Sequence, residues 1–431
     1  MIRGPYVRLV AAIVCGAPAA ALGAQAPAAQ TGAAPPPVVT LTVDEAVQEA
    51  LDHNLTLMAE RFNVSVAEAA VVTASLRPNP VVTFDMIRPD RVLTAAGLSA
   101  TEQVARTDVV FERGGKRERR VEAARLARSV AELQLLNTVR TLVLDVQQAF
   151  TDVQLAKLNL ALARENLDAF ESVVRINTDR VRAGDLSSVE LSRSRLAALQ
   201  FQNEVRQQET RLRVARNRLS TLIGRGPNGD LLDVAGELRR DAARLELAPL
   251  VAEALERRPD LQAARADQAR STADLRLQIA NGKVDYTVSG EYHRQSSADL
   301  AGNAYAVSFS APLPIFNRNQ GEIARASAQQ RQLDGRVRAL EAEIANELAS
   351  AYADYTTARD IVATIEQQML AEARQVRATT EYSYRAGEAS FLEFLDAVRA
   401  FNETMQSYNE ARAAYARSLY ALDALTGKAA P

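Results

Sequence analysis

Two short polar breaks, about 200 residues apart, contain the residues of this 431-residue chain whose types and spacing could act on a ligand. Their acidic residues lie at or just beyond a glycine: Asp185, Glu190, Glu388, Glu393 and Asp396. Glu393 and Asp396 are three residues apart and so share one helix face. In a rotationally symmetric assembly each would form a carboxylate ring that favours cations. An ordinary solvated helix face is an equally favoured interpretation of these acidic residues. The arginines that could pair with such rings are Arg182, Arg385 and Arg399.

Each break has the composition of a turn between two helices. The first reads RAGDLSSVEL from Arg182, and the second reads RAGEASFLEFL from Arg385. Gly184 and Gly387 can end a helix in the left-handed conformation without a Cβ penalty. A serine follows three residues after each glycine and can cap the next helix, with a glutamate three residues further on. The breaks are therefore predicted to be the tips of two helical hairpins.

Motifs of enzyme, metal and nucleotide chemistry are absent from the sequence. The two histidines, His53 and His293, are far apart, and neither HExxH nor CxxC occurs. GRGPNGD from Gly224 lacks the Lys and the Ser or Thr of a P-loop, so it predicts a turn. The formal net charge of -2 lacks the basic footprint of a nucleic-acid binder. We therefore expect a protein that is not an enzyme, has no cofactor or metal site, and binds no nucleic acid.

The N-terminal segment is typical of a secreted protein. Residues 1–24 place two arginines before an apolar run that ends in small residues, which predicts a cleaved signal peptide. A transmembrane anchor is the less favoured alternative, because the run is short and contains Pro18. The single cysteine, Cys15, could be lipidated, although Val14 before it is larger than such sites prefer. Residues 25–40 are predicted to be a disordered or extended linker.

The chain contains an internal repeat. VDEAVQEALDHNLTL from Val43 matches LAPLVAEALERRPDL from Leu247. Further on, Phe150 corresponds to Tyr352 with an offset of 202, and the two tip glycines have an offset of 203. Such steady offsets predict a duplication. The predicted division is a first repeat at 41–224, a connector that wraps the rod at 225–246, and a second repeat at 247–427.

Each repeat contains a long helical hairpin with a heptad stripe. In the first repeat the stripe includes Val139, Val143, Val146, Phe150 and Val153. Alternating steps of three and four are those of a coiled-coil seam. A helix over about 116–182 would be roughly 100 Å long at 1.5 Å per residue, with a partner over about 187–222. A helix of this length must pack laterally against other long helices.

Four other segments alternate between apolar and polar residues. The clearest apolar series are Val284, Tyr286, Val288, Gly290 and Tyr292, then Tyr305, Val307, Phe309, Ala311 and Leu313. Val82, Phe84 and Met86, and a weaker run from Val104 to Phe111, are their counterparts. Alternation with aromatics on the apolar side is typical of outer-membrane barrel strands, and a soluble hairpin on the helices is the alternative.

The predicted fold class is mainly α with a small β part. Four strands cannot close a barrel, and open edges are not tolerated in lipid. The chain must therefore assemble with copies of itself, two giving eight strands and three giving twelve. The fold is a duplicated unit of long antiparallel α-helical hairpins, with four strands that contribute to an oligomeric transmembrane β-barrel.

Taken together, these features resemble the TolC-type outer membrane efflux family over about residues 41–427. The more specific marks are YRAGEASFLEFLDA from Tyr384, APLPIFNRNQGEIARA from Ala311 and FERGGKRERR from Phe111. The last two are most similar to the CzcC-like branch, which is associated with efflux of heavy metals and other cations. The soluble periplasmic coiled-coil scaffold, and a channel for drugs or secreted protein, are the alternatives.

The resemblance implies a homotrimeric passive duct: a twelve-stranded barrel in the bacterial outer membrane on a helical tube in the periplasm. Its implied partners are outer-membrane lipid, a periplasmic membrane-fusion adaptor and an inner-membrane pump of the RND type. The residues implied at the adaptor contact are Arg182, Gly184, Asp185, Arg385, Gly387 and Glu388. Those implied at the gate or selectivity ring are Tyr384, Glu393 and Asp396. Ala389 stands where the family prototype has a basic locking residue, so Arg385 is a hypothetical substitute.

Overall fold

A computed structural model describes residues 39–88, 101–226, 232–241, 244–296 and 301–428 of the chain. All of them belong to one compact unit, Val38–Pro431. The predicted signal peptide and the linker as far as residue 38 lie outside the described residues, so those assignments stay predictions.

The helices come in two similar sets, each a short pair followed by a long hairpin. The first set consists of α1 (Val43–His53), α2 (Leu55–Ser75), α3 (Lys116–Ala183) and α4 (Ser188–Leu222). The second set consists of α5 (Leu247–Arg257), α6 (Pro259–Asn281), α7 (Gln320–Thr364), a π-helical turn (Ile365–Met369), α8 (Leu370–Ala386) and α9 (Phe391–Leu425). The predicted bounds of α3 and α4 are correct to about one residue. None of the described helices is both long enough and apolar enough to span a membrane.

The alternating segments form one antiparallel sheet in the order β2-β3-β5-β6. Its strands are β2 (Val81–Ile87), β3 (Thr101–Phe111), β5 (Tyr286–Ser296) and β6 (Ala301–Ser310). One row across the sheet is Tyr305, Tyr292, Ala105 and Phe84. The next row, on the other face, is Ala306, Glu291, Arg106 and Thr83. The register therefore separates an apolar face from a polar one, as the period of two predicts.

A second, two-stranded sheet corrects two sequence predictions. The strand β1 (Val39–Leu41) pairs in parallel with β4 (Leu232–Val234). Residues 39 and 40 belong to the predicted linker, and β4 lies in the predicted connector, where the sequence predicts no strand. Leu232 and Val234 are almost fully buried, so apolar burial against the long hairpin orders both short segments.

The π-helical turn explains a small drift in the repeat. The offset between the copies is 202 at Tyr352 and 203 at Gly387, so the second copy gains one residue between these points. Ile365–Met369 lies in that interval and is wider than an α-turn. A π turn accommodates one extra residue without rotating the rest of the helix. The faces of α8 therefore keep the orientation that their counterparts have in α3.

The order of helices across the unit leaves two lateral edges. The helix α3 packs against α2, α4, α6 and α9, while α7 packs against α6 and α9. One edge therefore consists of α2 and α4, and the other consists of α7 with α8. The strands follow the same division, because β2 follows the edge helix α2, β6 precedes the edge helix α7, and both strands are outermost in the sheet.

The two hairpin tips as candidate functional site

Both tips turn through a glycine, as predicted. Gly184 has φ 86° and Gly387 has φ 85°, values in the left-handed region where side chains are strained. The amide N–H of each glycine donates to a carbonyl three residues earlier, and so closes the end of α3 and of α8. A Cβ on Gly184 would meet open space, whereas one on Gly387 would lie 2.9 Å from the Arg180 guanidinium.

Serines cap the returning helices, also as predicted, but the two caps differ. The Ser187 hydroxyl accepts a hydrogen bond from the Glu190 amide. Ser390 makes the same bond with Glu393 and, in addition, donates from its amide and its hydroxyl to the Glu393 carboxylate at 2.7 and 2.9 Å. The second tip therefore has a full capping box.

The residues predicted to contact an adaptor all lie on the surface of the tips. They are Arg182, Gly184, Asp185, Arg385, Gly387 and Glu388, and each is exposed. Arg182 pairs with Asp179 at 3.3 Å, and Arg385 pairs with Glu381 at 2.5 Å. Within this protomer, neither arginine reaches the carboxylates of the predicted ring.

The three residues predicted for the gate are in two different environments. Glu393 and Asp396 are exposed on α9, whereas Tyr384 is buried with 3% of its surface accessible. Hydrogen bonds from Ser390 lower the pKa of the Glu393 carboxyl, which keeps it ionised. Burial raises the pKa of the Tyr384 phenol, which stays neutral. The two carboxylates can therefore contact solvent and ions, while Tyr384 contacts only other residues of the protein interior.

Tyr384 joins the two copies at their tips. Its hydroxyl donates to Asn177 Oδ1 of α3 at 2.7 Å, and Asn177 is fully buried. Its ring stacks on Phe394, with centroids 5.2 Å apart and an interplanar angle of 9°. The apolar cluster around it consists of Phe170, Val173, Ala197, Phe391, Phe394 and Val398. This cluster holds both hairpins side by side.

Sequence reasoning missed two residues of this contact. Arg180 lies against the second tip and donates to the Tyr384 carbonyl at 3.4 Å. Asn177 was missed although it lies one heptad after the buried Phe170 on the same helix. A polar residue at a seam position was the available signal, because such residues usually have a specific partner.

The polar face of the sheet carries a second group of charges. His293 lies between two carboxylates, with Nδ1 2.9 Å from Glu102 and Nε2 3.1 Å from Glu291. Arg106 pairs with Asp108 at 2.7 Å and approaches Glu291 at 3.4 Å. Within the described ranges, no group of His, Cys, Asp and Glu residues is arranged to hold a metal ion.

A duplicated unit of strand hairpins and very long helical hairpins defines the class of outer-membrane channels with a periplasmic helical part. The chain belongs to the outer membrane efflux protein family, whose model matches residues 46–225 and 250–428. The sequence-based resemblance and the fold class are thus confirmed. The protein is an outer-membrane efflux component with its helical part in the periplasm.

Two known proteins are similar in sequence to this chain over most of its length. The cobalt-zinc-cadmium resistance protein CzcC of Cupriavidus metallidurans is 26% identical over 369 residues, covering 85% of either chain. The pyoverdine export outer membrane protein OpmQ of Pseudomonas aeruginosa is 26% identical over 385 residues, covering 83% of this chain and 79% of the relative.

Solved structures share the fold. The outer-membrane channel OprN is 21% identical with a TM-score of 0.74, covering 90% of this chain and 91% of its own. CusC is 20% identical with a TM-score of 0.73, covering 90% of this chain and 93% of its own.

Proposed function

We propose that three copies of this chain form a passive duct of a tripartite efflux system. The observation that carries the proposal is that the protomer has two lateral edges without a neighbour. One edge exposes large apolar side chains and the other exposes small ones. The family membership supports the channel and leaves no support for the soluble scaffold considered from sequence.

The sheet edges require a partner. The strands β2 and β6 each have one side without a neighbouring strand within the described sheet. Unpaired backbone groups in lipid are costly, so β2 of one copy is expected to pair with β6 of the next. Two copies would make an eight-stranded barrel, whose interior is filled by side chains. Three copies make twelve strands, which leave room for an aqueous path.

The helical edges differ in side-chain size. Large apolar residues are exposed along α2, including Phe62 at 67%, Val66 at 67% and Val72 at 63%. Small residues are exposed along α7: Ala324, Ala328, Gly335, Ala339, Ala342, Ala349 and Ala353. A Cβ at Gly335 would meet open space, so the protomer itself does not need glycine there. Large residues on one copy can pack on the small ones of the next, a head-to-tail contact that closes a ring.

The tips and the connector complete the proposal. We propose that the six exposed tip residues contact a periplasmic adaptor fed by an inner-membrane pump of the RND type, and that Glu393 and Asp396 form carboxylate rings near the tube end. The division into repeats at 41–224 and 247–427, with a connector at 225–246, is proposed on the same basis.

The cargo we propose is a metal cation. Exposed carboxylates at the tube end favour cations, and the name of CzcC includes cobalt, zinc and cadmium resistance. OpmQ is named for pyoverdine export, so export of a larger organic compound is the second candidate.

The test combines the mass of the purified protein in detergent with its current across a planar bilayer. A conducting species of three chains supports the duct. Gly335→Leu is expected to abolish that species, while Gln329→Leu, exposed on another side of α7, should leave it intact. A conducting dimer, or a monomer without conductance, would overturn the trimeric duct.

The ring is tested separately by Glu393→Gln with Asp396→Asn. The glutamine preserves the capping box, so the tip keeps its fold. Reduced preference for cations over anions in single-channel recordings is expected. Unchanged selectivity would remove the ring from the proposal and leave the duct in place.

A further inference from the structure

The loop between β6 and α7 exposes an unusual amount of apolar surface. This junction loop, Ala311–Asn319, presents Leu313 at 79%, Ile315 at 62% and Phe316 at 90% exposure. Three neighbouring large apolar side chains at such exposure form a patch that a partner usually covers.

Hydrogen bonds fix the loop in this shape. The Ile315 amide donates to the Leu313 carbonyl at 2.9 Å, and Arg318 Nε donates to the Pro314 carbonyl at 3.1 Å. The side chain of Asn319, which has φ 62°, donates to the Gln278 carbonyl at 2.8 Å. Pro312 further restricts the backbone. The apolar side chains are therefore held outward on an ordered support.

The first repeat has no loop that corresponds to the junction loop. There the chain passes from Phe111, the last residue of β3, to Lys116, the first of α3, through four residues that read ERGG. In the second copy nine residues separate Ser310 from Gln320, and they include the three apolar side chains. The junction loop is thus a feature of one repeat and would occur three times in a trimer.

Positive charge surrounds the patch. Lys283 and Arg318 are exposed beside it, and neither forms an ion pair with a carboxylate of the described residues, whereas the exposed Arg113 lies 4.5 Å from the centre of the Tyr286 ring. The only nearby lysine that is neutralised is Lys116, which pairs with Asp285 at 2.7 Å. Lys283 lines an open cavity of about 570 Å³ together with Leu313 and Phe316. The cavity thus joins a cation to apolar walls.

We infer that the junction loop inserts into the periplasmic leaflet of the outer membrane and contacts anionic phospholipid. The patch continues the apolar face of β6, where Tyr305 and Val307 are more than 80% exposed. It lies at the helical end of the strand, where a barrel strand leaves the hydrocarbon. Lys283 and Arg318 face the phosphate of the headgroup. This inference rests on the proposed insertion of the sheet in the membrane.

A single tryptophan can report what covers the patch, because the sequence contains none. Phe316→Trp protein would be reconstituted in vesicles of brominated phosphatidylglycerol and phosphatidylcholine. We expect blue-shifted emission that bromine quenches, most strongly when the bromine is close to the headgroup. Blue-shifted emission without quenching would place a second copy on the patch, and red emission open to iodide would place water there. Either result overturns the inference.

Val307→Trp, in the middle of β6, is the matched control for insertion. If bromine quenches Val307→Trp and not Phe316→Trp, only the loop inference fails. If neither is quenched, the proposed membrane insertion fails as well.

The headgroup is tested by moving the bromine between the two lipids at equal mole fraction. Phosphatidylglycerol should quench Phe316→Trp at least twofold more strongly, and Lys283→Gln with Arg318→Gln should remove that difference. Equal quenching by both lipids in the otherwise unchanged protein would overturn the preference for anionic lipid.

Discussion

The two long arms have the same origin but are built differently. In the first copy, α3 runs without a break for 68 residues. In the second copy, 45 residues of α7 are followed by the π turn and by 17 residues of α8. A π turn interrupts the regular hydrogen-bond ladder, so bending is easier there than in α3. The comparison teaches that one added residue can give one arm of a duplicated pair a site of flexibility without changing its packing face.

The arms also differ in how they contact the connector. In the first copy, Asp233 on β4 accepts from Lys157 at 3.0 Å and from Arg216 at 2.9 Å. In the second, Arg240 donates twice to Glu366, at 2.9 Å each, and Glu366 lies in the π turn. The polarity of the ion pair is reversed. In the second repeat this ion pair joins the connector to the π turn, where bending is easier than in a regular α-helix.

The largest effect is expected from single-residue deletions. Removing Ala161, exposed on α3, should rotate the helix beyond it by about 100°. Phe170 and Asn177 would leave their buried positions, and we expect loss of the folded trimer. Removing Gln367 from the π turn should restore a regular helix and leave the melting temperature within a few degrees. Circular dichroism and oligomer gels measure both. Equal damage from the two deletions would mean that the π turn does not accommodate an insertion.

The contact between the tips should have the next largest effect. Tyr384→Phe leaves the buried side-chain oxygen Oδ1 of Asn177 without a hydrogen-bond donor, which typically costs about 1–3 kcal/mol of unfolding free energy. Tyr382→Phe, 73% exposed, is the matched control and should change nothing. Denaturant unfolding in detergent provides the values.

A double variant sharpens that result. Adding Asn177→Leu to Tyr384→Phe replaces both partners by apolar groups, so the combined loss should be smaller than the sum of the single losses. If the losses of unfolding free energy are strictly additive, the two repeats do not make a direct contact through Tyr384 and Asn177.

The ion pair at the π turn should have a smaller effect that depends on pH. Arg240→Gln is expected to lower the unfolding free energy by less than about 1 kcal/mol, because Arg240 is 64% exposed. The hydrogen bonds from Arg240 lower the pKa of Glu366. The ion pair between Arg240 and Glu366 therefore stabilises the folded protein above the ordinary pKa of 4.5. This stabilisation disappears as the pH falls through the lowered pKa of Glu366.

Thermal melts of both proteins between pH 7 and pH 3 test this dependence. The difference in melting temperature should shrink below pH 4.5, and a difference that stays constant would count against the pair. Arg216→Gln in the first copy should have an even smaller effect, since Lys157 still neutralises Asp233.

The smallest effect is expected at the caps. Glu393→Ala removes the returning hydrogen bonds of the capping box and should lower the melting temperature slightly. Glu190→Ala leaves the Ser187 cap intact and should be nearly neutral. Melting temperatures that fall equally would show that the two tips are capped alike.

The sequence predicted the features that depend on local pattern. The bounds of α3, the glycine tips, the serine caps and the alternation of the strands all follow from periodicity or from single-residue conformational preferences. The β1–β4 pair could not be predicted, because it joins three-residue segments almost 200 residues apart and depends on burial against a distant hairpin.

The candidate site was predicted only in part. The exposed positions of the tip residues follow from their place in the turns, but the burial of Tyr384 depends on Asn177, which another helix supplies. The drift of the offset from 202 to 203 was visible in the sequence, but an offset alone does not show where in the helix the extra residue is accommodated.

The open edges of the protomer also bear on its journey through the cell. Strands of 7 and 10 residues with a free side, next to an exposed apolar helix, are a template for unwanted pairing and aggregation. If each edge pairs with the opposite edge of the next copy, as proposed, two associated copies still expose one edge of each kind and gain no protection. An unassembled chain is therefore expected to aggregate readily, and ring closure is expected to be cooperative, with no stable intermediate.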